Sequence, residues 1–98
     1  MGMYAAIGGK DFSLRGLLAT ACTAVGAVPV HGELVLDKPT AKAVLAQMVK
    51  SFEQGRQLSE GSEINGQSIY RLLGDSEALT ALFDWVCHSE DNDVIIFA

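Results

Sequence analysis

From Asp37 to Gly55 the apolar residues return at intervals of three and four: Ala41, Val44, Leu45, Met48, Val49 and Phe52. That spacing lines one face of a helix. Asp37 stands just ahead of Lys38-Pro39, where a carboxylate can accept from a first-turn amide and the missing proline N–H is harmless. Gly55 suits a left-handed stop. The pattern therefore predicts an amphipathic helix over 39–54 that needs a surface to lie on.

Two further segments repeat the period. Leu14, Leu17, Leu18, Ala21, Cys22 and Val25 share a face, with Ser13 as the expected N-cap and Gly26 as the stop. Between Gly16 and His31 this segment has no charge, so it should be buried on more than one side or meet a partner. A third helix is predicted over 75–91, capped by Asp75 or Ser76, with Leu79, Leu82, Phe83 and Val86 as its buried stripe. Cys87 falls beside that stripe and Trp85 at its edge.

Strands fill the gaps. Met3–Ile7 is short and apolar and is broken by Gly8-Gly9, with Lys10-Asp11-Phe12 as a connection. A second strand is expected over Glu33–Leu36, with Val28–His31 leading into it or pairing across a turn; Pro29 belongs near an edge. Asn65-Gly66 is a hairpin signal, which favours a strand over Ile69–Leu73 against a helical turn ended by Gly74. Val94–Ala98 is an unbroken apolar run, the pattern of a mid-sheet strand covered on both faces. The resulting order is β-α-β-α-β-α-β: one α/β domain over 1–98, with about four strands in one sheet and three helices. Met1-Gly2 ahead of Met3 reads as a vector remnant.

Composition changes this picture little, but charge changes it more. With 49% hydrophobic and 19% charged residues in 98, the chain is a folded domain and not a disordered tail. The net charge is −5, and it is segregated. Residues 75–98 hold six carboxylates and no Lys or Arg, while residues 1–74 hold seven basic and six acidic side chains. Such a balance excludes a nucleic-acid binder, which needs clustered cations, and an anionic membrane surface. The apolar run over 14–30 is too short and too mixed to span a bilayer. Cys22 and Cys87 are too few for a disulfide framework; both are expected as buried free thiols in a reducing cytoplasm.

Catalytic and ligand motifs are weak. Cys87 and His88 are neighbours on a helix and point about 100° apart, so a thiol–imidazole pair would require Cys22 to meet His31 or His88. Asp91-Asn92-Asp93 lacks the glycine and the final glutamate of a calcium loop. Gly8-Gly9-Lys10 lacks the spacing of a phosphate loop. No metal or cofactor is expected. What remains is surface: Asp84, Trp85, His88, Glu90 and Asp91, with Tyr70 as a further aromatic anchor. Aromatics among carboxylates suit contact with a basic protein surface. The expected function is a small non-enzymatic interaction module, of the inhibitor, adaptor or immunity type. The alternatives are a homo-oligomeric structural or ligand-binding domain, dimerising through helix 14–25 or an edge near Pro29, and a small enzyme built on Cys22, His31 and the Gly8-Gly9 turn.

Overall fold

Two tight turns at positive φ organise the strands. A computed structural model describes residues 2–59 and 66–98, with side chains over 2–53 and 74–98. Gly8 and Gly9, at φ 62° and 83°, form the two-residue loop between β1 (Tyr4–Ile7) and β2 (Lys10–Ser13). Both central residues of such a turn need positive φ, which is why Gly-Gly closes a hairpin here instead of merely ending a strand. Lys10-Asp11-Phe12 is therefore strand and not connection, paired antiparallel from Ile7↔Lys10 to Tyr4↔Ser13.

Ser13 ends β2 and leaves α1 (Gly16–Ala24) with Arg15 at its N-cap position, which offers no side-chain cap. The cap comes from elsewhere: the Leu17 amide donates to Asp75 Oδ1 at 3.3 Å. At the far end Gly26 N–H donates to the Thr23 carbonyl and Ala27 N–H to that of Cys22, the paired closure expected where a helix stops at glycine. Leu18, Ala21 and Cys22 are buried. The opposite side shows small residues, Thr20, Thr23 and Ala24, and both threonine hydroxyls donate to carbonyls one turn back, at 3.0 and 3.1 Å. The uncharged helix is thus buried on one side only.

After α1 the chain turns at His31-Gly32, again with both residues at positive φ, and Val30 and Glu33 exchange backbone hydrogen bonds across it. This leads into β3 (Leu34–Asp37). Asp37 ends the strand and caps the next helix, accepting from the Thr40 amide at 2.9 Å. That helix, α2 (Lys38–Ser59), runs through Gly55; glycine permits a left-handed stop but does not impose one. Ala41, Val44 and Met48 are buried and Leu45 is half-buried, as the period requires, while Val49 falls off the edge of the face and is exposed.

The third helix differs most from expectation. α3 (Gly66–His88) takes in Ile69–Leu73 as helix and not strand, so Asp75 and Ser76 lie inside it and cannot cap it. Asn65, half of the hairpin signal, lies outside the described residues. The buried side of α3 is Ala78 and Leu82, flanked by Leu79, Ala81, Trp85 and Val86. Phe83, predicted to be buried, is exposed, as is Cys87. A core contact every three or four residues from Ala78 brings Leu82 and then Trp85 inward, which turns Phe83 out. The chain finishes with β4 (Val94–Phe97), paired antiparallel with β3 from Leu34↔Phe97 to Asp37↔Val94.

The order is therefore β-β-α-β-α-α-β, and the strands form two two-stranded antiparallel sheets, not one four-stranded sheet. β1 packs beside β4, and Tyr4 and Ala98 join the two ribbons by exchanging backbone hydrogen bonds of 3.1 and 3.0 Å. One core serves both. Ala5 and Ile7 from β1, Leu34 and Leu36 from β3, and Ile95 and Phe97 from β4 pack with the buried sides of all three helices. Each fully buried Leu, Ile or Phe contributes about 1.5–3 kcal/mol. The helices lie on this one side, so β4 is covered on one face and not on two: Ile95 and Phe97 are buried, Val94 and Ile96 are not.

Candidate interaction surface

Asp84, His88, Glu90 and Asp91 are all exposed, at the end of α3 and in the turn that leads to β4. The turn is held by the Glu90 amide, which donates to Asp93 Oδ2 at 2.8 Å, and by the Asp93 amide, which donates to the Glu90 carbonyl at 3.1 Å. His88 Nδ1 donates to the Asp84 carbonyl at 2.8 Å, so its ring lies back along the helix. Among the described residues the nearest cation is Lys38. Its ammonium donates to the Ser89 carbonyl at 2.6 Å and stands 3.9 Å from Asp91 Oδ1, with its side chain only 15% exposed. Lys38 thus clamps the end of α3 from within and pairs at long range with Asp91, while Asp84 and Glu90 make no salt bridge among the described residues.

Trp85, taken from the sequence as an anchor, is half-buried and packs on the core. Among the described side chains of this helix the exposed aromatic is Phe83, one residue before Asp84. The side chain of Tyr70 lies outside the described residues. Phe83 shares the three-and-four spacing of the stripe, so spacing alone predicts a core position for it. The signal that separates them is the neighbour pattern: Ala78, Leu82 and Trp85 continue a face that Phe83 leaves.

The alternative constellations are not assembled. Cys22 is buried in the core, and burial pushes its thiol up to about 11. His31 stands exposed at the tip of its turn. No hydrogen bond joins the two, and among the described residues no three His, Cys, Asp or Glu side chains gather into a metal site. A reactive thiol must be an accessible thiolate. Cys87 should therefore alkylate in the folded protein while Cys22 reacts only in denaturant, a difference readable by mass spectrometry. Between β2 and α3 lies an open groove of about 400 Å³ lined by Phe12, Thr80 and Asp84. Lys10, which pairs with Glu77 at 2.7 Å, crosses it.

The other prominent surface is the sheet face turned away from the helices. Cross-strand register puts Val35 opposite Ile96, and Asp37 opposite Val94, on that face. Val35, Val94 and Ile96 are 48%, 45% and 47% exposed, and Tyr4 on β1 is 58% exposed. Glu33, two residues before Val35, shares the face with Val30, its partner across the turn. Among the described residues no helix is long and apolar enough to cross a membrane.

Compared with known proteins, the chain matches no family model, and no curated protein and no solved structure matches it significantly.

Proposed function

We propose that this chain is a non-enzymatic protein-interaction module that binds a basic partner surface through its acidic C-terminal segment. The observation that carries the reading is the outward display of Asp84, Glu90, Asp91 and Asp93 over one helix end and turn, where the nearest described cation, Lys38, is mostly buried and pairs with Asp91 alone. Carboxylates held exposed in this way steer a cationic partner and set its register. They lie on a rigid support, since α3 is anchored through Leu82 and Trp85 and the turn is fixed by its own hydrogen bonds.

The test is a triple reversal, Asp84→Lys, Glu90→Lys and Asp91→Lys, with a lysine-rich synthetic peptide as the probe. Binding of that peptide at low salt should fall at least ten-fold while the circular dichroism spectrum stays unchanged. Equal affinity in the reversed protein would remove this segment from the interface.

A further inference from the structure

The two strand pairs were built to different specifications on the side away from the helices. Around β1–β2 that side shows Tyr4, Ala6, Asp11 and Ser13, a mixed surface normal for an antiparallel ribbon facing water. Around β3–β4 it shows Val35, Val94 and Ile96, three β-branched apolar residues at the positions where alternation calls for polar ones. The run Val94-Ile95-Ile96-Phe97 has the composition of a strand covered on both faces, yet the described residues cover one face only. Contiguous exposed apolar residues with a polar border mark a contact site.

The border names the occupant. Asp37 sits on the same face beside Val94, Glu33 continues the β3 side, and Asp93 and Asp91 precede Val94 in the turn; all are exposed. Among the described residues the one cation within ion-pair reach of them is Lys38, mostly buried, which pairs with Asp91 at 3.9 Å and leaves Glu33, Asp37 and Asp93 without a salt bridge. A second copy of this chain would bring one set of carboxylates against another, and like charges so juxtaposed oppose association. A partner that presents apolar side chains flanked by Lys or Arg matches both the centre and the border.

We infer that the outer face of β3–β4, centred on Val35, Val94 and Ile96, is a docking surface for a basic, apolar segment of another protein. The acidic turn at 90–93 forms its rim. This rests on the proposed function and gives it a location: the charges attract, and the valine–isoleucine face holds. Mixed interfaces divide their work in this way, with an apolar centre carrying most of the affinity and a polar rim setting orientation and on-rate.

The probe is a synthetic peptide alternating lysine with valine, with its glutamate–valine counterpart as control, titrated into the labelled full chain and followed by amide NMR shifts. The lysine peptide should shift Val35, Val94 and Ile96 and their neighbours, and the glutamate peptide should not. The double variant Val35→Thr, Ile96→Thr keeps β-branching, strand propensity and every charge, and should bind at least ten-fold more weakly. If the double variant binds as well as the native chain while the triple charge reversal does not, the acidic segment acts alone and the sheet face falls away. If neither change matters, or the peptide does not bind, both readings fail. If light scattering gives a dimer that the double variant abolishes, the face belongs to a second copy and the inference is overturned.

Discussion

The two ribbons, β1–β2 and β3–β4, have the same length, the same antiparallel sense and the same inward task. Ala5 and Ile7 in one, and Leu34, Leu36, Ile95 and Phe97 in the other, feed a single core. They differ on the opposite face, where β1–β2 mixes Tyr4 with Asp11 and Ser13 while β3–β4 shows Val35, Val94 and Ile96. Inner faces answer to folding alone, so they converge. Outer faces answer to whatever lies outside, so a difference there reports on solvent in one case and on a contact in the other.

The inner faces should prove equivalent. Phe97→Ala removes a fully buried ring and should destabilise the fold by about 3–5 kcal/mol; Ile7→Ala should lose about 2–5 kcal/mol. Urea unfolding followed by Trp85 fluorescence measures both. A loss below about 1 kcal/mol in either would mean that the two ribbons do not share one core.

The turns come next in size. Gly9→Val forces a branched residue to φ 83° and should cost about 1–2 kcal/mol. In the matching turn before β3, His31 already bears that strain at φ 53°, so His31→Asn should recover up to about 1 kcal/mol. Thermal melts of the two variants should move in opposite directions, and equal shifts would show that the turns are not alike.

Asp37 separates the ribbons by pH. Hydrogen bonds from the Thr40 hydroxyl and amide hold its carboxyl below the usual carboxylate value of 3.8. A carboxyl lowered by folding contributes stability above its unfolded value, and loses it as pH falls through the lowered folded value. Asp37→Ala should thus lower Tm by a few degrees at neutral pH, with the gap to the native chain closing below about pH 3.8. A gap that persists in acid would show that the cap does not act through its charge.

The smallest stability effect sharpens the contrast most. Val35→Thr and Ile96→Thr should each change stability by less than about 1 kcal/mol, because half-exposed outer residues contribute little to the monomer. Losses as large as that of Phe97→Ala would mean that the outer face is in fact structural.

How legible these features were depended on the range of the interaction that decides each. The α2 face and the Asp37 cap are local and follow directly from spacing. The Gly8-Gly9 hairpin is also local, but the same two glycines read equally as a terminator, so β2 was missed. Ile69–Leu73 is apolar without a decisive period, and it joined α3 because a helix already extends from Ala78 and Leu82. The acidic C-terminal segment was visible in the charge count. The exposed β3–β4 face was not, because an unbroken Val-Ile-Ile-Phe run predicts two covers and only the fold reveals which face the described residues leave open.

The cap that Asp75 supplies to Leu17 also has a consequence in time. At nine residues α1 is too short to persist alone in water, and its first-turn acceptor lies 58 positions further along the chain. Until α3 docks, α1 has α2 to lie on but lacks its cap and the part of its cover that α3 supplies. It should therefore order after the transition state, so that Leu18→Ala accelerates unfolding and leaves the refolding rate nearly unchanged.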